Sequence, residues 1–337
     1  MIKHDINENR KVLQAMYEDC ALCPRNCHVN RDRALGYCGQ SSEIRIARAA
    51  LHFWEEPELS GACEGVEDPR GSGTVFFMGC NLRCTYCQNY EISRYVATDP
   101  LHKPQTEGTD VQQTEVLSES AAGTKACSGR AVTVEELAGI FLHLQAQGAL
   151  NINLVTAFMH MPKIACALDL AKSKGLKLPV VYNSSGYESV EMLRHLDGLI
   201  DVYLPDLKYL DADLGAALSH AADYPEVAKE AIAEMVRQTD TIVRHLVLPG
   251  HVRESKRVLS YLHETYGDRI RISIMSQYTP VGPASETHPE LNRRITKREY
   301  DRVVDHAIAI GITNAYIQDR AVAKESFIPA FHNLLIL

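Results

Sequence analysis

No run of apolar residues in this 337-residue chain is long enough to cross a bilayer, and the polar start, Met1 to Arg10, does not read as a signal peptide. Excess basic charge is also missing. The formal net charge is −8, which removes the electrostatic reason to expect a nucleic acid or an anionic membrane surface as partner. No internal sequence repeat is visible. Without an export signal, the ten cysteines point to metal ligation in a reducing compartment, by default the cytoplasm, rather than to disulfides. A hydrophobic content of 45% suffices for a large core, one barrel-sized domain with an extension.

What is present is organised around Gly73 to Asn89, G-T-V-F-F-M-G-C-N-L-R-C-T-Y-C-Q-N. Thr74 to Met78 is a short continuous apolar run that predicts a buried strand. Gly79 breaks it, and Cys80, Cys84 and Cys87 follow in a Cys-x3-Cys-x2-Cys pattern. Three soft thiolates on one loop can hold three irons of a cubane cluster and leave the fourth corner open for chemistry. A closed zinc site takes four protein ligands, so the competing reading is a zinc knuckle completed by a distant His or Cys.

This pattern, with Tyr86 before the last cysteine, resembles the radical S-adenosylmethionine (SAM) superfamily. Further stretches are similar to pyruvate formate-lyase activating enzyme-like proteins: C-A-L-C-P-R-N-C, V-V-Y-N-S-S-G-Y, V-Y-L-P-D-L-K-Y and V-R-H-L-V-L-P-G. The resemblance covers nearly the whole chain and is specific for cofactor rather than substrate. It implies a [4Fe-4S] cluster on Cys80, Cys84 and Cys87 whose open iron chelates SAM. It also implies a low-potential electron donor such as flavodoxin or ferredoxin, cleavage of SAM to a 5′-deoxyadenosyl radical, and hydrogen abstraction from a substrate. A glycyl radical enzyme is the partner this group suggests.

A second cysteine group precedes the first. Asn7 to Glu18 reads as a short helix leading to Cys20, Cys23, Cys27 and Cys38, with Pro24 and Gly36 as turn residues. Four thiols within nineteen residues fit an auxiliary Fe–S cluster or a structural zinc stapling a loop-rich extension. Ile44 to Leu51 alternates as a strand does. In the stretch that follows, His52, Glu55 or Glu56 faces the substrate, or the segment simply packs across the barrel mouth with Pro57 fixing its turn. Cys63, Cys127 and Cys166 stand alone, as small buried hydrophobes do. Thr98 to Arg130 is rich in Thr, Gln, Glu, Ser and Gly and reads as an insertion, either a substrate lid or a surface loop.

From Val132 helix and strand patterns alternate. Thr133 and Glu136 form a capping box, Leu137, Ile140, Phe141 and Leu144 share one helix face, and Gly148 stops the helix. Strands are expected at about 151–155, 179–182, 201–204, 241–247 and 271–275, with a last βα-like unit from Lys297–Ile310 and Ala315–Ile317. The fold class is therefore α/β: a partial (β/α) barrel of about six parallel strands spanning 73–337, preceded by a cysteine-rich extension, 1–72.

Barrel chemistry gathers at the carboxyl ends of strands. Thr156 ends one strand where many relatives carry Gly-Gly-Glu for the SAM amino group; this sequence departs from that pattern, and backbone carbonyls of Val155 or Thr156 could still serve. Asn183 and Ser184 open a turn closed by Gly186, where short oxygen-bearing side chains suit SAM or a cation. Asp206 and Lys208 match the Asp-x-Lys of glycyl-radical activases, in which the lysine faces SAM and the aspartate helps build a cation site. Arg244 aligns with an arginine that reaches the SAM carboxylate, and His245 alternates to the other face. Gln277 and Tyr278 end the strand where some activases carry a histidine near the adenosine, so Gln277 is a further candidate.

Three function classes share parts of this pattern. One is an activase taking hydrogen from a glycine Cα, one a radical enzyme acting on a small molecule or another protein group, and one a non-catalytic Fe–S or zinc protein. The third needs neither the Asp-x-Lys nor a strand-end arginine. Replacing 98–130 by a Gly-Ser linker should leave a soluble, cluster-binding protein, because each doubling of loop length costs only about 0.6 kcal/mol. An insoluble or cluster-free variant, assayed by circular dichroism and iron content, would show that the segment packs.

Overall fold

Short apolar runs bounded by turn residues become strands here because both faces of the sheet are covered. A computed structural model of the chain describes residues 6–61, 70–96, 129–280 and 285–318. In chain order the first part holds helix α1 (Ile6–Ala15), strand β1 (Ile44–His52), helix α2 (Pro57–Ser60), β2 (Ser72–Phe77), α3 (Tyr90–Ser93) and β3 (Arg130–Val132). The second alternates α4 (Val134–Ala146), β4 (Ile152–Val155), α5 (Met161–Ser173), β5 (Val180–Ser184), α6 (Val190–Arg194) and β6 (Val202–Pro205). It closes with α7 (Ala212–Ser219), α8 (Tyr224–Gln238), β7 (Asp240–Leu246), α9 (Val252–Tyr266), β8 (Arg271–Met275), α10 (Lys297–Ala309) and β9 (Ala315–Ile317).

The nine strands of the described residues form one sheet in the order β3-β1-β2-β4-β5-β6-β7-β8-β9. From β2 onward every neighbouring pair is parallel, which makes seven parallel strands where about six were expected. The last of them is β9, the strand expected at Ala315–Ile317, which pairs with β8 from Ile272↔Ala315 to Ile274↔Ile317. Side chains from the carboxyl ends of these strands line one cavity, so the sheet curls into a partial barrel.

The stretch expected as an extension contributes to that barrel. β1 pairs antiparallel with β2, and β3 pairs antiparallel with β1. The expected insertion lies outside the described residues up to 128, but its last residue, Arg130, already belongs to β3. A shortened chain must therefore keep Gly129, at φ +60°, where a Cβ would meet Met78 at 2.6 Å. Cys63 and Cys127 also lie outside the described residues, and Cys166 is half-buried on α5.

Helix ends follow the local chemistry read from sequence. Thr133 accepts from the Glu136 amide while Glu136 accepts from the Thr133 amide, and Thr296 and Glu299 repeat this box at the start of α10. Leu137, Phe141 and Leu144 are buried and Ile140 is partly so. The outward side chains Val180, Tyr182 and Tyr203 join the core under the helices. Their alternates point inward: Val181, Leu204 and Ile242 cluster with Leu59 of α2.

That cluster corrects one expectation. The segment before β2 does not merely cross the barrel mouth; it inserts Leu59 into the bore and plugs it. Pro57 starts the helical turn, Gly61 ends it at φ 74°, and Asn151 Nδ2 donates to the Leu59 carbonyl at 2.7 Å. Leu59 is 4% exposed. Leu59→Ala is expected to cost about 2–5 kcal/mol by transfer and cavity terms. An unchanged midpoint in denaturant titration would show that the plug carries no packing energy.

Candidate functional site

The site is built where β2 stops. Its six residues are all buried, and Gly79 turns the chain at φ +88°. A Cβ at that position would meet Cys38 O at 2.7 Å and Gln40 Cγ at 2.6 Å, so glycine is required for space as well as for conformation. The loop beyond carries the three thiols into a cavity of about 570 Å³. The Leu82 amide donates to Cys80 Sγ at 3.5 Å, Cys84 Sγ lies 3.0 Å from Ser219 Oγ, and Cys87 Sγ lies 3.3 Å from Ser93 Oγ. Burial, and next the Cys84 charge, push the Cys80 thiol up to about 12. Among the described residues no three His, Cys, Asp or Glu side chains gather around a single ion-sized point, in either cysteine group.

The opposite wall comes from the strand ends. Lys208 Nζ donates to Asp206 Oδ2 at 2.5 Å, and both residues line the cavity. Burial opposes the Lys208 charge, but Asp206 and then Cys84 outweigh it and hold the ammonium well above its usual range. Behind the pair, the Tyr209 and Tyr86 hydroxyls are hydrogen-bonded to one another, and Tyr209 reaches Ser219 Oγ at 3.2 Å. Tyr86, Tyr209 and Ser219 thus connect the cysteine loop to the segment after β6.

Thr156 and Asn183 also line the cavity, joined by a Thr156 N–H donated to the Asn183 carbonyl at 2.9 Å. Thr156 sits at φ +54°, an unusual state for a β-branched residue that costs of order 1–3 kcal/mol. Ser184 is present too, but its hydroxyl is donated to Glu188 Oε1 at 2.5 Å and accepts from the Gly186 amide at 3.0 Å. That hydroxyl builds the turn. Gln277 lines the cavity with its side-chain oxygen accepting from Gln318 Nε2 at 3.1 Å. His245 points away and is buried, Nδ1 lying 2.8 Å from the Leu207 carbonyl.

Arg244 departs most from expectation. Its Nε and Nη2 donate to Glu56 Oε1 and Oε2 at 2.7 and 2.6 Å, and Nη2 also pairs with Glu55. The fork expected to face a ligand carboxylate is therefore engaged by carboxylates of this chain. Burial pushes Glu56 up, but the Arg244 charge and hydrogen bonds outweigh it and hold it below the usual carboxylate range. Asn153 Nδ2 donates to Glu55 Oε1 at 3.0 Å. Glu55 and Glu56 form the cavity floor, and His52 lies on its wall, depressed by burial. Ser219, Tyr209 and Asn81 carried no local sequence signal, because each acts through a partner distant in the chain.

A family model described as the Radical SAM superfamily matches residues 74–262, more than half of the chain. An uncharacterised protein of Methanocaldococcus jannaschii is 27% identical over 300 residues, which cover 88% of this chain and 76% of that one. Among solved structures, Streptococcus suis SuiB bound to S-adenosylmethionine is similar with a TM-score of 0.45 and 12% identity over 72% of this chain. SuiB bound to its precursor peptide SuiA gives 0.44 and 12% over the same share. The chain spans about half the length of these SuiB chains, 47 and 48%.

Glu188, under the Ser184 turn, has a measurable signature. Burial raises its carboxyl to about 7 from 4.5, so the folded protein holds a proton that the unfolded chain releases. Its contribution is greatest below pH 4.5 and is lost as pH rises through 7, a change on the order of 2–4 kcal/mol. Glu188→Gln should therefore gain stability over wild type from pH 5 to pH 7.5. A wild-type-minus-variant difference that stays flat across that range would contradict the assignment.

Proposed function

The chain belongs to the radical SAM superfamily, and from that premise we propose that it cleaves SAM reductively and takes a hydrogen from a glycine Cα of a partner enzyme. The observation carrying this reading is that Cys80, Cys84 and Cys87 share one cavity with Asp206 and Lys208. The donor set fits the family's [4Fe-4S] cluster: three soft thiols on one loop, with no fourth on that loop to close it. Held by Cys80, Cys84 and Cys87, such a cluster would supply the one electron that splits the sulfonium carbon–sulfur bond of SAM into methionine and a 5′-deoxyadenosyl radical.

The chain's own residues bind and shape. Lys208, kept charged by Asp206, presents its ammonium to the carboxylate of the amino acid end of SAM. The Thr156 carbonyl and the Asn183 amide oxygen are acceptors for its amino group. Arg244 acts as a positioning residue that fixes Glu55 and Glu56 beneath the ligand. A volume of about 570 Å³ lies within the usual range for small-ligand sites. Trp54, on the cavity wall and 54% exposed, suits a protein partner, since tryptophan is favoured at interfaces.

Under anaerobic conditions with a low-potential donor, the protein should convert SAM slowly to methionine and 5′-deoxyadenosine. Lys208→Ala should weaken SAM binding by roughly 1.5–3 kcal/mol. Arg244→Ala should instead destabilise the fold, by about 3–5 kcal/mol, because two buried carboxylates lose their counter-charge. Deuterium passing from deuterated glycine of a partner into 5′-deoxyadenosine, with a glycyl signal in electron paramagnetic resonance, is the outcome expected of an activase. Transfer from a deuterated small molecule would overturn that part of the proposal, and no iron in reconstituted wild type would overturn all of it.

A further inference from the structure

The second cysteine group surrounds a buried positive charge that no carboxylate of the described residues neutralises. Arg31 is 1% exposed. Its Nη1 donates to Cys20 Sγ at 3.5 Å, its Nη2 to the Ser41 carbonyl at 2.7 Å, and its Nε has no partner among the described residues. The Tyr17 ring lies 5.8 Å from the guanidinium carbon. Among the described residues no Asp or Glu is ion-paired with it. Burying an unpaired guanidinium costs several kcal/mol, so a compensating anion is required within reach.

Thiols are what surrounds it. Backbone bonds from Cys20 N to Val29 O and from His28 N to Cys20 O fold the loop back on itself, at 3.0 and 3.1 Å. The Tyr37 amide donates to Cys27 Sγ at 3.2 Å. A Cβ built on Gly36 would lie 3.6 Å from Cys38 Sγ, 3.7 Å from Cys27 Sγ and 3.7 Å from Arg31 Cδ. Cys20, Cys23 and Cys38 are buried. Neutral thiols do not balance a guanidinium, whereas four thiolates on a divalent metal, or on a metal–sulfide core, carry net negative charge. The sulfurs do not meet at one ion-sized point, so side-chain rotation or a core wider than one ion must bring them to the metal.

The same loop grips the cysteine loop of the cavity. Arg25 donates from Nε to the Asn81 carbonyl at 2.9 Å, and Arg83 donates from Nη2 to the Tyr37 carbonyl at 2.7 Å. The Tyr37 ring has the Arg25 and Arg83 guanidinium carbons 4.2 and 5.0 Å from its centroid. Gln40 Nε2 donates to the Tyr95 carbonyl at 3.0 Å, just beyond the helical turn that follows Cys87.

We propose that Cys20, Cys23, Cys27 and Cys38 hold an anionic four-thiolate centre of a soft metal, zinc or iron with sulfide. Arg31 is its buried counter-charge, and the centre fixes the clamp of Arg25, Tyr37 and Gln40 on the Cys80–Cys87 loop. This site is independent of the cavity reading. The test therefore uses the full chain with Cys80, Cys84 and Cys87 all replaced by alanine, purified without oxygen. Folded triple variant should retain either one zinc per chain or iron with matching acid-labile sulfide, the two arms separating the metals. Folded variant with neither overturns the proposal.

In that background Arg31→Met should lose metal to a competing chelator at roughly tenfold lower concentration or less, and Arg31→Lys should restore most of the affinity. Equal retention in the Met variant would remove Arg31 from the assignment. With the cavity cysteines intact, Cys23→Ala with Cys38→Ala should speed amide exchange over 79–95. Unchanged exchange there would overturn the clamp.

Discussion

Arg244 between Glu55 and Glu56 is the interaction on which the cavity depends. Three charges are taken out of water, and such a group persists only where its hydrogen bonds are made and its partners cannot drift apart. Here the bonds join β7 to residues 188 positions earlier in the chain. They pin the segment ahead of the first parallel strand, which lets Leu59 fill the bore. The barrel floor is thereby charged above and apolar below. The group carries one negative charge in excess, which suits a ligand bearing a sulfonium and an ammonium.

Above that floor the cavity is lined by groups whose states are set by one another. Asp206 keeps Lys208 charged, and the Tyr86–Tyr209 hydroxyl pair with Ser219 reaches from the strand ends to Cys84. Thr156 holds a left-handed conformation at a strand end facing the ligand space, strain of the kind that the surrounding packing must over-determine. Rigid walls of this sort place binding groups before a ligand arrives, which lowers the cost of orienting it.

The two cysteine groups are neighbours. Gly79 has no room for a side chain because Cys38 and Gln40 press on it, and Asn81, fully buried, accepts from Arg25 and donates to the Tyr187 carbonyl at 2.6 Å. A loop bearing three cysteines within eight residues has little regular structure of its own. Its shape is therefore supplied from outside, by the loop that carries Cys20, Cys23, Cys27 and Cys38.

The sequence by itself determined what depends on local pattern. Cysteine spacing marked the cavity loop, short apolar runs between helical patterns placed the parallel strands to within a residue or two, and Thr133 with Glu136 announced its helix. It also named the strand-end residues that line the cavity. Tertiary structure alone decided what those residues do: that Arg244 is taken by Glu55 and Glu56, that the Ser184 hydroxyl serves Glu188, that α2 enters the bore, and that Arg31 lies among thiols with no ion-paired carboxylate among the described residues. The reason is physical. A strand or a cap is specified by residues within one turn of each other, whereas a buried charge is satisfied by whichever group the packing brings within hydrogen-bond reach, however distant in the chain.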